Sequence, residues 1–277
     1  MADTASDPIL YEVADHVATI TLNRPERRNA ISTAMLMQLS KRLEQADADR
    51  SVRCIIVTGA DGGGFCAGLD LVDATSGQGI GSGGNGGGGS GDGGGGGMSM
   101  QTRHLPTVVL FEIDKPVIAA INGGAAGYGL DLALGCDIRL MGSSAKLAAA
   151  FTKRGVVPES GGTWYLPRLL GWGKAAELIY MGKTVLAEEA LEIGLVNAVI
   201  DDAELLKTAQ DWAAQIAANA PIAVQSSKRL MRHGLTEDFQ SHTHHVLLQT
   251  IQLFGTKDFR EGITSFMEKR PAEFKGR

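Results

Sequence analysis

Two glycine-rich turns carry the chemistry most plainly legible in this sequence. The first is Gly64-Phe65-Cys66-Ala67-Gly68-Leu69-Asp70-Leu71, and the second is Asn122-Gly123-Gly124-Ala125-Ala126-Gly127-Tyr128-Gly129. Each lies between an apolar run of strand length and a helix start, where backbone N–H groups are left without intrahelical acceptors. Donors so placed favour an oxygen carrying negative charge. One such turn is an ordinary connection, but two in one chain can supply a pair of convergent donors, an oxyanion hole.

Other candidate groups point to bland roles. His242, His244 and His245 suggest a metal, yet no Cys or acid nearby completes a ligand spacing, and a solvated or subunit-facing helix explains them. Ser160 lacks the GxSxG elbow of a serine nucleophile. A GxGxxG match at Gly79, Gly81 and Gly84 has no strand before it and no suitable helix after it, and the whole run from Gly77 to Gly97 reads as a surface insertion.

The elements that must hold the two turns follow from periodicity. Alternation over Ile9–Val13 and His16–Leu22 predicts two strands joined at Ala14-Asp15, a hairpin. After Ser32, apolar residues Met35, Leu36, Leu39, Leu43 and Ala46 predict a helix to about Asp49. Val52–Thr58 and Pro116–Ile121 read as buried strands, each leading into one of the glycine-rich turns, and Leu130–Leu134 opens an apolar helix. From about Val185 the pattern is helical: Glu188–Glu192, Ala203–Ala218, Ile222–Arg232, Asp238–Phe254 and Lys257–Lys269. The expected architecture is α/β, with a core over 1–200 and a helical region over 201–277.

A chain of 277 residues with 44% hydrophobic content is long enough to bury a substantial core. Its 26 Lys and Arg against 31 Asp and Glu, with no dense basic run, give nucleic acid no electrostatic footprint. Three cysteines, Cys54, Cys66 and Cys136, form neither a disulfide framework nor a zinc ribbon, which suits a reducing cytoplasm. No run approaches the roughly 18 apolar residues of a membrane helix, and no targeting segment is evident.

Several motifs together resemble the crotonase (enoyl-CoA hydratase/isomerase) superfamily. They include Asn23-Arg24-Pro25 with Asn29-Ala30, Phe65 through Leu71, Ala119 through Gly123 with Leu132-Ala133, and Cys136-Asp137-Ile138-Arg139. Gly161-Gly162-Thr163 with Leu166-Pro167-Arg168, Gly194-Leu195-Val196, and the tail Glu261-Gly262 with Phe266 through Arg270 extend the likeness to nearly the whole chain outside the Gly-rich run. The resemblance implies a spiral of ββα units with a C-terminal helical region that builds homotrimers or dimers of trimers. It implies an acyl-CoA thioester substrate, with coenzyme A as part of the substrate, no separate cofactor and no metal, in enzymes of fatty-acid metabolism, β-oxidation among them.

By position in the motifs, the thioester oxygen is expected between the N–H groups of Leu69 and Tyr128, the latter standing where relatives often have Gly. Two such donors acidify the α-carbon by stabilising an enolate, each worth roughly 3 to 4 kcal/mol in the transition state. One hydratase Glu is matched by Asp131; the position of the second is Phe151, which cannot move a proton. Glu159, in Val157-Pro158-Glu159-Ser160-Gly161-Gly162 at the start of the next predicted helix, resembles the acid of the isomerases, although acids favour helix starts in any case. For coenzyme A, the resemblance places Arg27 or Arg28 near the phosphates, Ala67, Gly68, Asp70, Leu71 and Gly127 along the loops, and Phe266 and Lys269 at a neighbouring subunit's ligand. The implied enzyme hydrates a 2-enoyl-CoA or shifts its double bond through Asp131 and Glu159. The alternative is a non-catalytic acyl-CoA carrier or interaction subunit, because both hydratase Glu positions are altered.

Overall fold

The computed structural model describes residues 7–70 and 105–277; Leu71 and the glycine-rich run at 77–97, with its GxGxxG match, lie outside the described residues. The chain opens with strands β1 (Ile9–Ala14) and β2 (Val17–Leu22) in an antiparallel hairpin. Its turn is Asp15-His16, one residue later than the sequence suggests, because Ala14 still pairs with Val17. Both turn residues take positive φ, 46° and 66°, as the tight two-residue hairpin loop demands.

Helix α1 (Thr33–Ala48) starts where Ser32 accepts the Met35 N–H, and buries Met35, Leu36, Leu39, Leu43 and Ala46 along one face. There follow β3 (Cys54–Gly59), α2 (Pro106–Glu112), β4 (Val117–Ile121), β5 (Gly124–Ala126), α3 (Tyr128–Gly135), β6 (Ile138–Gly142) and β7 (Lys146–Ala148). Next come α4 (Gly162–Leu170), α5 (Trp172–Met181), β8 (Thr184–Leu186), α6 (Ala187–Glu192) and β9 (Ala198–Ile200). Four helices complete the chain: α7 (Leu205–Ala217), α8 (Pro221–Gly234), α9 (Phe239–Phe254) and α10 (Lys257–Glu268).

The α/β class is what the chain adopts. One sheet has the order β1-β2-β3-β4-β6-β9, parallel from β2 onward, and a smaller one has the order β5-β7-β8. Every residue of β3 and β4 is buried, as expected of parallel strands covered on both faces. Alternation sorts them: Ile55, Val57, Ala119 and Ile121 join the cluster containing α1, whereas Cys54, Ile56, Ile118 and Ala120 join Leu205, Ala209 and Ala213 of α7. Alanines at i, i+4 on α7 leave little side chain between helix and sheet.

Two expectations need correcting. Strands β8 and β9 interrupt the helical pattern expected from about Val185; three-residue strands are too short to show alternation, and pairing with β7 and β6 holds them. Glu159 does not begin a helix. Gly161 takes φ +115°, outside helical space, so α4 starts at Gly162 and Glu159 stands in the preceding turn.

Candidate active site

Because β3 and β4 are parallel neighbours, their carboxyl ends deliver both glycine-rich turns to the same edge of the sheet, the usual location of ligand sites in such sheets. Asn122 clasps the two ends, its Oδ1 accepting the Gly59 N–H at 3.2 Å and its Nδ2 donating to Gly59 O at 2.7 Å. The turns then pair directly: Cys66 N–H donates to Gly124 O and Ala126 N–H donates to Cys66 O, both at 3.0 Å. Such close backbone approach needs glycine. At Gly68 the backbone has φ +108°, and a β-carbon there would stand 2.9 Å from Ala126 O and 3.8 Å from Tyr128 N.

This apposition brings the segments of Leu69 and Tyr128 together. Ile31 N–H donates to Gly68 O and Asp70 N–H to Ile31 O, so the pairing passes over Leu69, whose own N–H meets no acceptor among the described residues. Tyr128 is the first residue of α3, whose opening bonds run from Leu130 and Asp131 to Gly127 O, and its N–H is likewise without an acceptor among the described residues. Two N–H groups are thus left for an outside oxygen, one of them at the positive end of a helix dipole. Gly127, at φ +53°, turns the chain into that helix, and a β-carbon there would stand 4.0 Å from Phe151 Cε1.

The two carboxylates occupy unlike surroundings. Asp131 is 0% exposed on a helix buried along its entire length. Its Oδ2 accepts the Ser160 N–H at 3.0 Å, while Oδ1 has no partner among the described residues. Burial pushes its carboxyl up to about 7, with the neighbouring negative charge of Glu159 adding to the rise and the Ser160 and Gly162 N–H groups opposing it. Glu159 is exposed. The Tyr128 phenol is buried with its hydroxyl unpartnered, and burial first, then Cys66, Asp131 and Glu159, drive its ionisation well above the usual range. Phe151 is buried.

The residues expected along coenzyme A separate into three groups. Ala67 is exposed and its N–H donates to Arg28 O at 3.0 Å, so Ala67 and the exposed Arg28 share one rim, with buried Gly68 behind them. Asp70, expected along the ligand loop, instead turns inward: its side chain is 3% exposed and pairs with Arg24 at 3.2 Å and Arg27 at 2.9 Å. Two guanidiniums from the turn after β2 pair with it, so Asp70 and Arg27 brace the loop. Phe266, 81% exposed, and Lys269 lie at the end of α10 and do not join this site within the chain.

Sequence reasoning gave no role to Asn29 or Asn122. Asn29 is fully buried, accepting the Arg24 N–H at 2.9 Å and donating to Gly64 O at 2.7 Å, so it ties the Arg24–Arg28 turn to the first glycine-rich turn. Asn29 takes a left-handed backbone conformation (φ 53°) directly after Arg28 in the same region, a feature of the folded chain that the sequence does not display. The imidazole Nδ1 atoms of His233, His242 and His245 face Glu237 at 3.9, 3.5 and 3.0 Å, and no metal-ligand grouping occurs among the described residues. No described helix is long and apolar enough to cross a membrane.

The family model described as enoyl-CoA hydratase/isomerase matches residues 12–85 and 92–277. YngF of Bacillus subtilis is 40% identical over 271 residues, covering 98% of this chain and 99% of that protein. The 1,2-epoxyphenylacetyl-CoA isomerase of Escherichia coli is 38% identical over 272 residues, 97% of this chain and 98% of the relative. Among solved structures, an enoyl-CoA hydratase from Bacillus anthracis superposes with a TM-score of 0.85 at 36% identity, covering 98% of this chain and 100% of that one.

Proposed function

The chain belongs to the enoyl-CoA hydratase/isomerase family of the crotonase superfamily, and from that premise we propose that it shifts the double bond of an enoyl-CoA thioester. The observation that carries this choice is the contrast between the two carboxylates: Glu159 is exposed on the turn before α4, whereas Asp131 is sealed. Adding water calls for two carboxylates that reach it; moving a double bond needs one.

In this mechanism the thioester oxygen lies between the Leu69 and Tyr128 N–H groups. Glu159 takes a proton from C2 of a 3-enoyl thioester, and the electron pair spreads over the C2–C3–C4 unit as a dienolate held by the two donors. The same carboxyl returns the proton to C4, leaving the 2-enoyl product. Proton transfer by a placed group contributes about 10²- to 10⁴-fold, and oxyanion donors about 3 to 4 kcal/mol each. No metal or redox step enters. Buried Phe151, at the position the resemblance matches to the second hydratase Glu, would make the acyl side apolar. Arg28, Ala67, Gly68 and Gly127 would meet the coenzyme A moiety. Exposed Leu247, Leu248, Ile251 and Phe254 on α9 would form subunit contacts in a homotrimer or dimer of trimers, where Phe266 and Lys269 reach a neighbour's ligand.

The test offers trans-3-hexenoyl-CoA and crotonyl-CoA separately. Conversion of the first alone supports the isomerase. Rapid hydration of crotonyl-CoA replaces it by a hydratase in which Asp131 serves as the second carboxylate. Tight binding of both without conversion or α-proton exchange leaves the acyl-CoA carrier.

A further inference from the structure

Asp131 takes no part in the proton transfer proposed above. A carboxylate fully enclosed in an apolar helix is costly to keep, and this one reaches no solvent. The bond it makes runs to the residue next to Glu159: Oδ2 accepts the Ser160 N–H at 3.0 Å. Gly162, two residues further, is pressed against the same carboxyl. A β-carbon at 162 would stand 3.2 Å from Asp131 Cγ and 2.9 Å from Pro158 Cβ, and would overlap Asp131 Oδ1. The turn Pro158–Gly162 is therefore wrapped around the Asp131 carboxyl, and Glu159 is carried on its outer side. The titratable groups around it are Tyr128 on its own helix, Glu159 on the turn and Tyr165 on α4.

We propose that Asp131 is a positioning residue for Glu159: as a buried hydrogen-bond acceptor it fixes the turn that presents the acid/base, and it exchanges no proton with substrate itself. This rests on the assignment of Glu159 above. Either protonation state of Asp131 can serve, because Oδ2 accepts from the Ser160 N–H in both. The requirement is an oxygen at that place, not a base.

Turnover of trans-3-hexenoyl-CoA by Asp131→Ala, Asp131→Asn, Gly162→Ala and Glu159→Gln separates these roles, with thermal melting as a check on folding. Asp131→Ala should lower kcat about tenfold with KM little changed, the rate equivalent of losing one hydrogen bond that orients a group. Asp131→Asn keeps an acceptor oxygen and should restore kcat to within about threefold of wild type, since no proton-transfer step is lost. Gly162→Ala should reproduce the kcat loss without touching Asp131 chemically. If Asp131→Ala does not fold, an active Asp131→Asn with an impaired Gly162→Ala still supports the proposal. An Asp131→Asn as inactive as Glu159→Gln would overturn it, making Asp131 a proton donor or base while leaving Glu159 in its role. A fully active Glu159→Gln would remove both.

Discussion

Replacing Gly129 by alanine should damage catalysis at every acyl-CoA substrate alike. Gly129 follows the Tyr128 donor, and it lies against the loop that bears the Leu69 donor. A β-carbon there would stand 2.8 Å from Cys66 Cβ, with the Cys66 carbonyl oxygen closer still. Carbon atoms rest about 3.5 to 4.0 Å apart, so the loops must separate by about 1 Å. In the proposed oxyanion hole the Leu69 and Tyr128 donors would then no longer converge on one oxygen, and a misplacement of that size costs about 10²-fold in rate. Overpacking a buried contact should also cost about 1 to 3 kcal/mol of stability. The assay is kcat on trans-3-hexenoyl-CoA together with α-proton exchange of butyryl-CoA in D₂O, both of which require the enolate. Gly173→Ala on α5 is the control, because its β-carbon meets nothing within 4 Å. A folded Gly129→Ala enzyme with kcat within about threefold of wild type would refute the oxyanion reasoning, since intact donor geometry is what the rate reports.

Three further outcomes are expected. The Asp131 carboxyl, held up to about 7 by burial, favours the folded state while neutral; this contribution is complete below about pH 4 and is lost as pH rises through 7, about 4 kcal/mol at most. Wild-type melting temperature should therefore fall relative to Asp131→Asn between pH 5 and 8 and run parallel above it, and parallel curves throughout would contradict the assignment. Leu39→Ala, at a fully buried position of α1, should cost about 2 to 5 kcal/mol in denaturant unfolding, and a cost near zero would show that α1 does not depend on that contact. Sedimentation at micromolar concentration should give the mass of three or six chains; a clean monomer would remove the subunit roles of Phe266 and Lys269.

The hairpin, α1 and the buried strands were legible because apolar periodicity reports burial directly, and β3 shows this residue by residue. The two glycine-rich turns were legible for a related reason: only glycine permits the approach seen at Gly68. What stayed hidden depends on side-chain bonds between distant segments. Asp70 follows a loop motif but meets Arg24 and Arg27, more than forty positions earlier in sequence, and nothing local marks its inward turn. The burial of Asp131 was readable in principle, because Leu130-Asp131-Leu132-Ala133-Leu134 has no polar face for α3 to turn to solvent. The place of Glu159 was misjudged by the few residues at which helix boundaries are least certain.

The central claim is that Glu159 moves the proton of an enolate held by the Leu69 and Tyr128 N–H groups. The most direct measurement is the rate at which saturating butyryl-CoA exchanges its α-proton in D₂O with wild type and with Glu159→Gln. Exchange needs a base and a stabilised enolate, but no double bond and no water addition. Wild type should exchange readily and Glu159→Gln about 10²-fold or more slowly, with binding of butyryl-CoA unchanged; equal exchange by the two proteins would contradict the account.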